Sequence, residues 1–294
     1  LKYEFSKPEC LGHVGMKCAS NGWLKCCESN NAQDTDAAPV VNQQTAVSAL
    51  DEETIDTQAR PEVQVEGGAT YKGQWRGTKR HGFGVLVGPS GQRYEGAFAN
   101  GRAHGEGCFV AANGNKYEGQ WNMDRAHGYG KYTHIDGITY EGEWCLDVKS
   151  GKGVENWADG SKYEGEFKAG AKHGAGIYNS GSGAIYDGQF RDDKMDGNGR
   201  YTFADGRMYF GQWAVGQMHG QGRMEWPNGS RYDGGYERDM KNGEGTFTWP
   251  DGRSYKGQWR NGKQHGQAVM VDAKGQTSQG EWQNGEPLTA KLCE

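Results

Sequence analysis

The sequence predicts an all-β fold, an elongated single-layer solenoid of about ten stacked β-hairpins of 23 residues each. Three observations carry this. Tyr recurs every 23 residues without one insertion, from Tyr71 to Tyr255. The apolar residues that follow each Tyr keep strand parity. Asn-Gly pairs then stand between two alternating runs, as at Asn100-Gly101 and Asn261-Gly262. Strict self-similarity at such a period marks a repeat architecture.

Each unit opens with a strand. Two residues after Tyr comes Gly, and two further on an aromatic ring: Trp75, Phe98, Trp121, Trp144, Phe167, Phe190, Trp213, Tyr236 and Trp259. Strand side chains alternate, so Tyr, Gly and Trp share one face while residues such as Glu118 and Gln120 take the other. Asn-Gly between alternating runs is a strong hairpin signal. The second strand then repeats the logic, with Gly128, Gly130 and Tyr132 on one parity. Gly stands eleven residues after every such Tyr and again at thirteen, with Ala268 as the exception. A further Gly, usually behind Asp, Asn or Ser, closes each unit (Gly91 through Gly275). Glycine here leaves room for aromatic rings and supplies the positive φ of turns. A tenth register keeps Gly280 and Trp282 but has Ser278 in place of Tyr. One hairpin buries too little to stand alone, so stability must come from stacking. At about 4.8 Å per strand, ten hairpins would make a ribbon roughly 95 Å long.

Composition agrees with so unusual a core. Leu, Ile, Val and Phe total 36 of 294 residues, whereas aromatic residues number 34 and glycines 50. The aromatics, not aliphatic side chains, must therefore bury one another. Residues 1–66 carry five basic and eleven acidic side chains, and the remainder carries 28 and 27. A near-neutral body has no electrostatic footprint for nucleic acid. Seven cysteines without a C-x-x-C pair point to a reducing, intracellular setting rather than a disulfide framework. No run reaches the roughly 18–20 apolar residues of a membrane helix. The chain opens with Leu1, as a fragment would, or as an extension upstream of a start at Met16.

The pattern Y-x-G-x-W, H-G-x-G, D/N-G over 23 residues resembles the MORN (membrane occupation and recognition nexus) repeat, across about residues 70–285. The resemblance implies a single-layer curved sheet whose aromatic groove holds a partner segment. It also implies three kinds of relative: axonemal and cytoskeletal scaffolds, membrane-contact tethers, and enzymes with a separate catalytic domain. The expected domains are a largely disordered tail over 1–66, repeats over 67–286 and a short tail over 287–294. The groove residues are expected at Tyr94, Tyr117, Trp121, Tyr140, Trp144, Tyr163, Tyr186, Tyr209 and Trp213. Trp157, Phe203, Trp226 and Trp249, beside the closing turns, form a second row of the same parity.

Other features are read more plainly. His81, His104, His127, His173, His219 and His265 sit in equivalent places on different units, roughly 10 Å apart at closest, too far to share one ion. They are expected as hydrogen-bonding turn residues. From the third unit onward His alternates with Ser150, Asp196 and Asn242, and the turn position three residues earlier is then Asp147, Asp193 or Asp239. The later His units have Gly there instead, so two turn solutions are expected. No G-x-G continues as G-x-G-x-x-G, and no nucleophile elbow or Walker lysine is present, so no cofactor and no enzyme activity is expected. Residues from about Thr45 to Gln58, with Val47, Leu50 and Ile55, are expected to form a short acidic helix. Cys18, Cys26 and Cys27 are candidates for reversible palmitoylation.

These readings converge on a non-enzymatic scaffold in the cytoplasm. It would dock a helical or extended protein segment on a cytoskeletal, ciliary or membrane-peripheral assembly. The alternatives are a phosphoinositide-binding membrane tether, or the accessory repeat region of a lipid-kinase-like enzyme whose catalytic domain lies outside this chain.

Overall fold

A computed structural model of the chain describes residues 57–288. Twenty-one strands form one open antiparallel sheet, interrupted only by a short 3-10 turn at Glu66–Gly68. The all-β, solenoid-like reading holds. The expected acidic helix lies outside the described residues except at its C-terminal end, where Gln58 opens a strand instead; Cys18, Cys26 and Cys27 lie outside them. Contacts divide the chain into two compact units. One runs through Ile135 and includes Trp144–Val148; the other holds Asp136–Glu143 and everything from Lys149.

In the first unit, the Tyr117 repeat shows why the sequence folds as it does. Strand Lys116–Asn122 pairs with Arg125–Thr133, matching Tyr117 to Tyr132 and Gly119 to Gly130. Met123 and Asp124 form the connection with φ of 49° and 70°, the left-handed pair a tight hairpin turn requires. Beyond Gly119 the register shifts, so that Trp121 faces Ala126. Gly128, at φ 69°, absorbs that bulge. The bulge turns the amide of Tyr129 outward, and the Gln120 side-chain oxygen accepts its hydrogen at 3.0 Å. The same bond joins Gln74 to Phe83, which explains the recurrent Gln or Glu between Gly and Trp.

The core is a ladder of rings. Tyr117 lies flat over its own glycine pair, so a Cβ at Gly130 would meet its ring at 2.5 Å. Its hydroxyl donates to the Gln120 carbonyl at 2.9 Å. Trp121 of the same repeat meets the ring edge-on at 5.0 Å, and Trp144 of the next at 5.3 Å. Edge-to-face pairs align a positive ring edge with a negative face and add about 0.5–1.5 kcal/mol each beyond burial. Phe98 and Trp121 clasp Tyr94 in the same way.

The sheet begins earlier than expected. Gln58–Val65 is a strand paired with Ala69–Arg76, so residues 58–65 belong to the sheet rather than to a tail. Pro61 concealed it. Proline cannot donate to a ladder, and here it sits on an edge strand at a register shift between Arg60 and Val63, where no donor is needed. Arg60 covers the Trp75 ring at 5.1 Å.

The second unit repeats the construction through Tyr163, Tyr186, Tyr209, Tyr232 and Tyr255. Each is fully buried, and each is met edge-on by the ring of its own repeat and of the next. Trp282 of the degenerate tenth register is the last of these rings, 5.2 Å from Tyr255.

Candidate functional site

All nine residues expected to line an open groove belong to the core instead. Tyr117, Tyr163, Tyr186 and Tyr209 have 0% exposure, and Tyr94, Trp121, Tyr140, Trp144 and Trp213 have 1–6%. The expectation assumed that a single-layer sheet leaves its aromatic face bare. Two things close it. The glycine pairs let each Tyr sink onto the backbone. In several repeats, side chains nine and fifteen residues after the Tyr then lie against the rings. In the first unit Arg80 does this at Tyr71 and Phe98, 5.9 and 5.6 Å from their centroids, anchored by the Gly101 carbonyl at 2.7 Å.

On the ladder's own face, the aromatic surface left within reach is therefore this covering row; Phe83 and Tyr129, 58% and 55% exposed, stand on the opposite strand parity. In the second unit the row is rich in large rings. Trp157 meets Tyr178 at 6.1 Å, Tyr201 meets Phe203 at 4.5 Å, and Phe247 meets Trp226 at 5.6 Å and Trp249 at 4.8 Å. All are half-buried. Their parity was visible in the sequence; that they, and not the Tyr ladder, face outward was not.

Cations are interleaved with these rings. Lys172 stands over Trp157 at 4.8 Å, Arg207 over Phe203 at 4.6 Å and Arg253 over Trp249 at 5.4 Å. Lys241 is enclosed by four rings, with Nζ 4.5 Å from the centroid of Phe247, 4.7 Å from Trp259, 4.9 Å from Tyr232 and 5.1 Å from Trp226. Burial pulls its ammonium down to about 8, while the negative ring faces act in the opposite sense. Burial also raises the hydroxyl pKa values of the ladder tyrosines, so the ladder stays neutral.

The hairpin turns form a second ordered edge. Asp124, Asp147, Asp193 and Asp239 adopt φ of 65–72° at the second turn position. The Asp147 amide donates to the Ala126 carbonyl, and its carboxylate accepts from the Ala126 amide at 2.8 Å. Asp239 clasps Met218 identically, as Asp193 does Lys172. Where Gly replaces Asp, as at Gly170 and Gly262, only the backbone bond remains. Asp thus adds a bond that offsets its left-handed strain, and the two turn solutions are real. The histidines depart from expectation. His81 Nδ1 accepts the Asn100 amide at 3.4 Å, but Nδ1 of His127, His173 and His265 is buried without a hydrogen-bond partner. Among the described residues no group of His, Cys, Asp and Glu converges as a metal site.

The MORN repeat family model matches nine consecutive stretches between residues 71 and 277, each beginning at or beside one of these tyrosines. The chain belongs to the MORN repeat family. No curated protein matches it in sequence. Similar solved structures include the TCP10 domain of Danio rerio CPAP in complex with a STIL peptide. That chain is 15% identical, with a TM-score of 0.36, over 74% of this chain and 96% of that one. The Drosophila melanogaster SAS-4 TCP domain with a proline-rich motif of Ana2 is 8% identical, TM-score 0.29, over 82% and 99%. Virginiamycin B lyase from Staphylococcus aureus is 10% identical, TM-score 0.16, over 76% and 84%. At these values none of the three bears on what this MORN protein binds or catalyses.

Proposed function

We propose that this MORN-repeat chain is a non-enzymatic scaffold that docks an extended or helical protein segment on the covering row of its second unit. The segment would thereby be held on a cytoskeletal or membrane-associated assembly. The observation that supports the reading is the run of half-buried rings at Trp157, Tyr178, Phe203, Trp226, Phe247 and Trp249 on one face of consecutive repeats. Rings of this kind, half covered and rigidly backed, lose little entropy on binding and serve as anchors. The tyrosines that recur every 23 residues beneath it keep their own hydroxyl bonds and ring contacts, so the row can be altered without removing the core.

A phage-displayed library of random 12-residue peptides, panned on the full chain, tests this. Selected peptides should bind the Trp226→Ala/Trp249→Ala variant at least tenfold more weakly. They should bind an Ile177→Ser variant equally well. That side chain is 41% exposed and, one residue before Tyr178 on the same strand, takes the opposite face. Binders indifferent to Trp226 and Trp249 would overturn the proposal, as would a library that yields none.

A further inference from the structure

The covering row contains three lysines at equivalent places, nine residues after Tyr140, Tyr163 and Tyr232. Two have an anion from their own chain. Lys149 Nζ is paired with Glu155, six residues further on, and both side chains are largely buried. Lys172 Nζ lies 3.9 Å from Asp193 in the turn of the following repeat. For Lys241 the first position is Phe247 and the second is Gly262. Neither carries charge. Lys241 thus has four rings around it and no carboxylate bonded to it among the described residues.

A cation partly withdrawn from water is costly unless paired. Ring faces recover part of that cost, but they leave the three ammonium hydrogens without an acceptor. The two sister lysines show that the fold can supply an anion at this level from either of two positions. Here it supplies none. The ammonium is not sealed either, for Lys241 stays half-exposed in the row between Trp226 and Trp249.

We infer that Lys241 is the anion-recognising point of the docking row, and that the segment it takes carries an Asp or Glu side chain between apolar residues. The carboxylate fills the place that Glu155 and Asp193 fill for the sister lysines, and the flanking apolar residues rest on Trp226 and Trp249. This rests on the docking reading above and narrows it. A charge-assisted bond in a partly desolvated site is among the stronger polar contacts an interface makes.

The chain itself suggests the control. A Cβ at Gly262, where φ is 80°, would have no atom within 4 Å, and Asp adopts φ of 65–72° at four equivalent turns. Gly262→Asp should therefore fold normally and give Lys241 an internal counter-ion, as Asp193 gives Lys172. The 12-residue library is panned on the full chain. The tightest selected peptide is then titrated by fluorescence anisotropy against wild type, Lys241→Met and Gly262→Asp, each checked for its β signal by circular dichroism. Selected sequences should be enriched in Asp or Glu. Changing that acid to its amide should weaken binding at least tenfold to wild type, and less than threefold to either variant. Binders that need Trp226 and Trp249 yet contain no acid would overturn this inference and leave the docking reading standing. So would an acid whose loss costs the same on all three proteins. A library without binders would overturn both.

Discussion

Replacing Trp121 by Ala removes one ring from the middle of the ladder, and the structure sets the size of the loss. Its side chain is 3% exposed and meets Tyr94 at 5.2 Å and Tyr117 at 5.0 Å, both edge-on. Its indole donates to the Gly107 carbonyl at 3.1 Å. Truncating a buried Trp costs about 3–5 kcal/mol. Two lost ring pairs at about 0.5–1.5 kcal/mol each place this site at the upper end, near 5 kcal/mol. Trp282 is half-buried and meets one ladder ring, Tyr255 at 5.2 Å. Half the burial and a single pair give about 2 kcal/mol for Trp282→Ala. Urea unfolding followed by far-ultraviolet circular dichroism measures the total, and native-state hydrogen exchange locates it in the substituted repeat. Equal losses at the two sites would refute a stack in which each ring is clasped from both sides.

The glycine pair gives a sharper contrast. A Cβ at Gly165 would stand 2.6 Å from the Gly176 Cα and 2.7 Å from the Ala175 carbonyl oxygen, both backbone atoms that cannot yield. Gly165→Ala should cost about 3 kcal/mol in urea unfolding and Gly176→Ala less, since the latter's nearest atoms are those of the buried Tyr163 side chain and the ninth repeat already carries Ala268 at the equivalent place. Burial holds the carboxyls of Asp124, Asp147 and Asp239 above their ordinary value. Their contribution to stability is therefore fully present below the unfolded value and lost as pH rises through the folded one. Asn at all three should flatten that part of a melting-temperature profile taken from pH 3.5 to 6. Lys241 has the opposite sense: with its ammonium pulled down to about 8, its contribution is present above the unfolded value and lost as pH falls through 8. Wild type minus Lys241→Met should gain stability between pH 8 and 10, and a flat difference would show that the ring faces cancel the burial.

The hairpin, its turn and its aromatic face were legible because each rests on residues within one period. The closing of the groove was not. Tyr117 is sealed by Trp144 of the following repeat and by the glycine pair beneath it, and parity alone cannot say whether a ring lies flat or stands up. The strand Gln58–Val65 carries no Tyr-Gly-Trp signature and is broken by Pro61, so nothing local announced it. The Lys241 enclosure draws on rings from residue 226 to residue 259, across three repeats. Its oddity appears only when Phe247 is set against Glu155, four periods earlier, and that comparison needs a structure to show that Glu155 answers a lysine.

Ring clasping in this chain has a direction. Within each unit, ladder tyrosines such as Tyr117 and Tyr163 take an edge-on ring from their own repeat and another from the repeat that follows. A chain cut after any whole repeat would therefore end on a half-clasped tyrosine, however many repeats preceded it. The degenerate tenth register answers this: having lost its own Tyr to Ser278, it still lends Trp282 to Tyr255 and asks for no ring in return. At the other edge of the described sheet no ring is owed, and strand Gln58–Val65 sets one arginine over Trp75. Repeats could thus be gained or lost upstream of Trp282 without changing this closing ring, whereas losing Trp282 itself would leave Tyr255 with the ring of its own repeat alone.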